Sequence, residues 1–428
     1  MLVARTEVEM DSHVQKFLIV SIDCLRYDAL SRTNTSLNTP KFDDLTRDYT
    51  LAERFFVTAP ATRPSHTSLF TGLYPFEHGL YGQTYLKMFE GIPNLLQLFS
   101  DAGYQVTGRS ERPEVFRLQD FEQFITVMDP KVQSQHLGSL ENLFDTIFSG
   151  EHDRQFCFLH FWYTHGGYGM QGIRNAPKLK ELVDTGRVEE ALRYYFAAVT
   201  HVQEFLLVEL LKRVDLSEWA VFIVGDHGEG FCEESIAHGD LLHPNTLHVP
   251  LLCSIPGVES VPIPEGPASM IDLYPTIVNL AGIDVDYCGF GVNLISESSG
   301  RSDRWVLSEL DSLYGVGFLN AGNLQTPHDR VTSRVSFDHA ELSRFAEGTR
   351  QWAISDGDRL YRQSEGKNDG CLRDMGGVDL AGGDVEGLRE IYKRILDGSG
   401  YKDLIAQEST TEEVEILEER LRDLGYIE

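Results

Sequence analysis

The sequence predicts an α/β protein with a large, mostly parallel, doubly wound sheet flanked by helices. Apolar runs at residues 17–22, 156–163 and 219–224 are typical of strands buried on both faces of a parallel sheet. Helical patterns alternate with these runs over most of the chain. After about residue 300, short strand-like pieces alternate with polar, Gly-rich stretches, which favours a small antiparallel sheet.

The chain is longer than one hydrophobic core usually supports. It has 428 residues, so we expect a core domain over residues 1–300 and a smaller α+β subdomain over residues 301–428 packed on it. Residues 369–384 are predicted to form a loop. The terminal helix is expected at residues 410–426, where Thr410 and Glu413 form a capping box.

The protein is strongly acidic, with a formal net charge of −29. Such a surface disfavours nucleic acid and anionic membranes as partners, so an anionic substrate needs a locally positive pocket, most simply a metal ion. The six cysteines include no C-x-x-C pair and are expected to be free thiols. The start of the chain lacks the pattern of a signal peptide, and its longest apolar run is too short to span a membrane, so a cytoplasmic location is expected.

The first half of the chain is organised around residues 59–75. A short helix at 39–45 and a strand at 55–57 lead into this stretch, which reads as a turn entering a helix. Thr62 takes the N-cap position, Pro64 falls in the first turn, and Gly72 ends the helix. The Thr62 hydroxyl would therefore lie at a helix N-terminus, where free amides favour an anion.

The remaining elements continue the alternation. Helices are predicted at residues 93–102, 188–214 and 270–281, and further strands at 104–107 and 249–255. The strand at 156–163 is followed by His165, which is well placed to act because it follows the strand's end. His160 lies inside that strand and is predicted to be a core residue.

Separate strand ends supply a candidate site made of Asp23, Thr62 and the adjacent pair Asp226 and His227. Two carboxylates, a hydroxyl and an imidazole suit one divalent cation, with Ca, Mg, Mn and Zn all admitted by this ligand set. A cation beside Thr62 would ease the loss of its proton and make it a nucleophile. His165 and a loop residue, His238, are candidates to bind ester oxygens or to protonate the leaving group.

The sequence resembles the sulfatase family of the alkaline-phosphatase-like superfamily, over most of the chain. The matching motifs, in order, are IDCLRYD (22–28), TPKFDDL (39–45), TRPSH (62–66), TGLYP (71–75), FLHFWYTH (158–165), GDHGE (225–229) and HG (238–239). The resemblance implies an alkaline-phosphatase-like fold. It also implies that the metal ligands are Asp23, Asp226 and His227, and that Thr62 is both the nucleophile and a ligand. His165 would face the leaving group, and His238 would face the bound anion. Arg63 and His66 are the substrate-binding candidates.

The chain departs from the family pattern at several positions. Thr62 stands where sulfatases of the well-known type have the Cys or Ser that becomes formylglycine, so that mechanism is excluded. Cys24 replaces a second Asp, His66 replaces the family's Arg, and the G-K-W-H segment is absent. Threonine nucleophiles are typical of phosphodiesterase, phosphonate-hydrolase and phosphoethanolamine-transferase relatives. No Asp-x-x-x-His pair occurs around residues 160–170, which favours a single metal ion.

Three functions remain open. The first is a metal-dependent hydrolase of sulfate or phosphate esters, with direct attack by Thr62 on a small anionic ester such as a sulfated or phosphorylated sugar. The second is a phosphodiesterase or a transferase that moves a phosphoryl-linked group. The third is a catalytically silent relative that binds an anionic glycan, which the intact set of candidate ligands argues against.

Overall fold

The fold is described from a computed structural model of the chain. It describes residues 13–83, 88–116, 119–128, 137–149, 152–165, 182, 185, 187–231, 237–263, 266–295, 303–311 and 350–400. The predicted terminal helix at residues 410–426 lies outside these ranges. Within them, no helix combines the length and the apolar character needed to cross a bilayer.

A seven-stranded sheet forms the centre of the protein, in the order β2-β8-β7-β1-β6-β4-β5, and β3 and β9 pair in a separate two-stranded sheet. The strands in chain order are β1 (Lys16–Ile22), β2 (Thr50–Ala52), β3 (Phe55–Phe56), β4 (Gln105–Ser110), β5 (Ile125–Val127), β6 (Gln155–Phe161), β7 (Trp219–Gly225), β8 (Leu251–Ser254) and β9 (Ala268–Ser269). Strands β7, β1, β6, β4 and β5 run parallel, whereas β8 is antiparallel to both β7 and β2. The prediction of a mostly parallel sheet is therefore confirmed.

Helices cover both faces of this sheet. In chain order they are α1 (Pro40–Leu45), α2 (Thr62–Thr71), α3 (Pro75–His78), α4 (Leu95–Asp101), α5 (Leu137–Ile147), α6 (Val188–His201), α7 (Val208–Leu211), α8 (Pro244–Leu247) and α9 (Leu273–Ala281). Alternate side chains of β1 enter different cores, because successive residues of a strand point to opposite faces. Phe17 packs in the core with α2, α4 and α9, and Leu18 packs in the core with α5, α6 and α7.

The strand register brings three strand ends to one edge of the sheet. Ile22, the last residue of β1, is paired with Phe161 at the end of β6 and with Gly225 at the end of β7. The residues that follow these strands therefore lie side by side at the carboxyl edge. Parallel α/β sheets bind their ligands at this edge.

A four-stranded antiparallel sheet follows, with the strands β10 (Val306–Asp311), β11 (Arg350–Ser355), β12 (Arg359–Ser364) and β13 (Cys371–Asp374) in sequence order. A further helix, α10 (Val385–Gly398), packs on it, with Tyr392 stacked on Trp352 at 4.1 Å between ring centroids. The backbone amide of Glu309 donates to the carbonyl of Thr58, which ties this sheet to the core. The domain boundary at residue 300 stays a prediction.

Several predicted boundaries were wrong. The predicted loop at residues 369–384 contains β13, which gains its hydrogen bonds from β12. The predicted helix at 188–214 ends at residue 211, and a π-helical turn (Val202–Leu207) joins α6 to α7. Helix α4 begins two residues later than residue 93, because the Asn94 side chain caps it by accepting from the Gln97 amide.

Candidate active site

Helix α2 carries Thr62 as its first residue. The prediction that Thr62 is the N-cap was wrong by one position: Ala61 occupies it, with extended backbone angles (φ −154°, ψ 144°). The physical reason is that the Thr62 hydroxyl points away from the helix amides. It donates to Oδ2 of Asp23 at 3.2 Å and lies 3.3 Å from Nε2 of His227. As predicted, the helix ends at Gly72, whose φ of 72° favours glycine.

Two fully buried carboxylates flank the Thr62 hydroxyl. Asp23 follows β1 and Asp226 follows β7, so the register of the sheet places them together. Oδ1 of Asp226 accepts the backbone amides of Cys24 at 3.1 Å and His227 at 2.8 Å, but Oδ2 has no hydrogen-bond partner. Burial and the charge of Asp23 raise the pKa of Asp226. A buried pair of this kind is stabilised by a cation.

His227 presents a lone pair to this group. Its Nδ1 lies 2.8 Å from the carbonyl of Gly228. Because a carbonyl only accepts, Nδ1 carries the proton and Nε2 is left as the acceptor that faces Thr62. Burial, with the nearby His238, lowers the pKa of His227 to about 3. Ligand atoms of Asp23, Asp226 and His227 all lie within 4.8 Å of one another, so these residues fit a divalent cation.

The other two predicted catalytic histidines meet beside this cluster. The rings of His165 and His238 are 5.0 Å apart, and His165 also stacks on Trp162 at 3.8 Å. His238 donates from Nδ1 to Oε1 of Glu229 at 2.9 Å. Burial lowers the pKa of His238, but Glu229 and the other nearby carboxylates outweigh it and raise that pKa to about 9. Burial lowers the pKa of His165 to about 4.

The predicted substrate-binding residues His66 and Arg63 are both buried near the start of α2. Nδ1 of His66 donates to the backbone carbonyl of Thr62 at 2.7 Å, and Nε2 accepts from the Ser21 hydroxyl at 2.8 Å. Both ring nitrogens therefore contact the protein itself and brace the start of α2. The roles of the two residues in substrate binding stay predictions.

Sequence reasoning missed two residues of this site. His160 was predicted to be a core residue, yet its Nε2 lies 3.6 Å from Oδ2 of Asp23 and 4.0 Å from Oδ2 of Asp226. Glu229, which holds His238, was noted only as part of a motif. The sequence signal for His160 was only that it is a polar residue inside an otherwise apolar strand. Its surroundings became visible only when the strand order placed β6 beside β1.

The fold is an α/β fold that places a threonine hydroxyl at a helix N-terminus beside two carboxylates and an imidazole at strand ends. The family model described as Sulfatase matches residues 15–283, and the chain belongs to the sulfatase family. This makes it a member of a family of hydrolases acting on sulfate or phosphate esters.

Individual relatives support the same family. The chain is 22% identical over 391 residues to the Delta 4,5-hexuronate-2-O-sulfatase of Bacteroides thetaiotaomicron, covering 76% of this chain and 81% of the relative. It is 24% identical to the low-salt glycan biosynthesis sulfotransferase Agl7 of Haloferax volcanii, with 96% of each chain covered. The fold is similar to that of the phosphonate monoester hydrolase of Agrobacterium radiobacter (TM-score 0.60, 16% identity, 92% and 96% covered).

Proposed function

We propose that this protein cleaves sulfate or phosphate esters by direct attack of the Thr62 hydroxyl, with one divalent cation bound at Asp23, Asp226 and His227. The observation that carries the proposal is the placement of that hydroxyl. It lies at the first residue of α2, 3.2 Å from a buried carboxylate and 3.3 Å from an imidazole lone pair. A threonine that only capped the helix would turn its hydroxyl to the helix amides instead.

The chain's own residues divide the work of the reaction. The hydrogen bond from Thr62 to Asp23 orients the hydroxyl and gives its proton an acceptor as Oγ1 attacks the sulfur or phosphorus. The bond to the leaving oxygen then breaks, and that oxygen takes a proton from His238, which Glu229 holds in place and whose raised pKa keeps it protonated. His165, whose pKa is lowered, faces the leaving group as a neutral imidazole. A bound divalent cation would supply the positive charge that stabilises the oxygens of the transferred group.

The covalent ester on Thr62 must be released by a second displacement. An acceptor hydroxyl attacks the sulfur or phosphorus, the bond to Oγ1 breaks, and Thr62 recovers a proton. The extra methyl on Cβ prevents oxidation of this residue to an aldehyde, which closes the formylglycine route. When the acceptor is water the protein is a hydrolase.

A second candidate function is transfer of the group to a sugar hydroxyl. The observation that favours it is the relative Agl7, a glycan biosynthesis sulfotransferase that aligns over 96% of both chains. The hexuronate sulfatase relative points to the same class of substrate, an anionic ester of a sugar. Hydrolysis and transfer would share the first displacement on Thr62 and differ only in the acceptor.

The test is a panel of aryl sulfate, aryl phosphate, aryl phosphodiester and phosphonate monoester substrates with Mg, Mn, Ca or Zn, at low and high salt. We expect Thr62→Ala to lose at least about 10³-fold in turnover. The matched control is Thr71→Ala at the other end of α2. The Thr71 hydroxyl donates to the Thr67 carbonyl and accepts from the Leu73 amide, so turnover should be retained. Full activity of Thr62→Ala would refute the proposal. A neutral disaccharide that becomes esterified in the same reaction identifies transfer.

A further inference from the structure

One buried imidazole of the site has no part in the function proposed above. His160 is fully buried within β6. Its Nε2 has no hydrogen-bond partner, yet it lies 3.6 Å from Oδ2 of Asp23 and 4.0 Å from Oδ2 of Asp226. Oδ2 of Asp226 also lacks a partner. Buried polar atoms are nearly always satisfied, so two of them facing each other indicate a missing ligand.

The other nitrogen of His160 is anchored. Nδ1 lies 2.8 Å from the Ser110 hydroxyl, which also accepts the Arg112 amide at 2.9 Å. A hydroxyl oxygen has two lone pairs, so it can accept from Nδ1–H as well. This tautomer leaves Nε2 with a bare lone pair directed at the carboxylates. Ligating histidines are commonly held in this way, with the second nitrogen donating to an outer partner.

We propose that His160 is a further ligand of the cation proposed at Asp23, Asp226 and His227, and that it makes the site prefer cations that bind nitrogen, such as Zn and Mn, over Mg and Ca. This inference rests on the proposed function. With bonds of about 2.1 Å, two ligands of one ion lie roughly 3 to 4.2 Å apart. The separations of 3.6 Å and 4.0 Å fall in that range, as does the 3.6 Å from His227 Nε2 to Asp226 Oδ2.

His66 is near enough to compete for this role but is engaged elsewhere. Its Nδ1 lies 3.8 Å from Oδ2 of Asp226. His66, His160 and Asp226 form a second group of potential ligands, which shares Asp226 with the group of Asp23, Asp226 and His227. Nδ1 of His66 already donates to the Thr62 carbonyl, and Nε2 accepts from Ser21. His160 therefore brings the lone pair that His66 lacks. The resulting set of two imidazoles, two carboxylates and a hydroxyl is richer in nitrogen than Mg or Ca prefer.

The test is calorimetric titration of the chelator-treated full chain with Zn, Mn, Mg or Ca. We expect the wild type to bind Zn and Mn at least about 10-fold more tightly than Mg and Ca. His160→Gln should lose at least about 10-fold in Zn affinity with little change for Mg. The matched control is His78→Gln. His78 is equally buried and also contacts a serine, Ser68, at 3.0 Å, but it lies outside the cluster and its loss should leave Zn affinity unchanged.

Cobalt substitution gives a second readout that does not depend on activity. The visible absorption of bound Co reports its ligands, so the spectrum should change in His160→Gln and not in His78→Gln. If Asp226→Asn abolishes metal binding while His160→Gln binds Zn as the wild type does, the inference fails and the proposed site stands. If neither variant changes metal binding, the proposed site fails as well. An equal loss of Zn affinity in His78→Gln would also overturn the role of His160.

Discussion

Replacing Asp226 by Asn should make the metal-free protein more stable than the metal-free wild type, but should remove most of the stability that the wild type gains from a bound cation. Asn keeps an oxygen for the amides of Cys24 and His227, and it puts an amide where Oδ2 has no partner. The change removes one of two buried carboxylates whose ligand atoms lie within 4.8 Å. At an effective dielectric constant of about 20, two charges at that distance repel by about 3.5 kcal/mol.

Without metal, Asp226→Asn gains less stability over the wild type than this repulsion energy. The reason is that Asp226 of the wild type can bind a proton and so reduce the repulsion, as its raised pKa indicates. We therefore expect Asp226→Asn to be about 1–3 kcal/mol more stable than the wild type in chelator. A cation at a hundred times its Kd stabilises the wild type by about 2.7 kcal/mol, and the variant should lose most of that gain.

The assay is urea unfolding in chelator and in saturating metal. The contrasting variant is Asp272→Asn, which breaks a buried bidentate pair with Arg304. It should be destabilised by about 3–5 kcal/mol in both conditions, because it leaves a buried charge without its partner. An Asp226→Asn protein that is less stable than the wild type in chelator, or that gains as much from metal, would refute the reasoning.

Three further changes test the fold around the site. Burial raises the pKa of Glu309 to about 8, so the folded protein holds a proton that the unfolded chain releases near pH 4.5, and stability falls as pH rises between these values. Glu309→Gln should therefore stabilise the protein at pH 8 and not at pH 4, by denaturant unfolding at both. Gly72→Ala should lower the free energy of unfolding by more than about 1 kcal/mol, because the φ of Gly72 is 72° and the new Cβ would lie 2.8 Å from a tyrosine Cβ. Gly91→Ala should lose less, because its φ is similar, 77°, but the new Cβ would meet open space. Equal losses in the two variants would contradict this reasoning. Tyr195→Phe should lower the free energy of unfolding by about 1–3 kcal/mol, because the Tyr195 hydroxyl donates to the Cys24 carbonyl at 2.7 Å and accepts from the Arg26 amide at 2.9 Å. Thermal unfolding measures this loss.

The strand ends of the site could be predicted because the signal for them is local. Runs such as β1 and β7 are mostly apolar, so the aspartate that follows each marks the carboxyl edge of the sheet. That pattern alone identified Asp23 and Asp226 as neighbours. Parallel pairing in register then brings them together without further information.

His160 could not be placed in the same way, because its environment depends on contacts between distant parts of the chain. In the sequence it is one polar residue inside an apolar run, and such a residue is usually a satisfied core residue. Its neighbours, Ser21 of β1 and Ser110 of β4, are set by the order of strands in the sheet. The one-residue error at Thr62 has a similar origin, since distant residues attract its hydroxyl away from the cap position.

The departures from the sulfatase pattern are connected through charge. Cys24 in place of an aspartate removes a negative charge from the surroundings of Asp23, and its thiol donates to Asp23 at 2.8 Å. His66 in place of the arginine removes a permanent positive charge and braces the Thr62 carbonyl instead. The lost negative charge and the lost positive charge offset each other. Under the proposed function, a site without this arginine would depend more on the cation to hold an anionic ester, and His160 would favour a cation that nitrogen binds well.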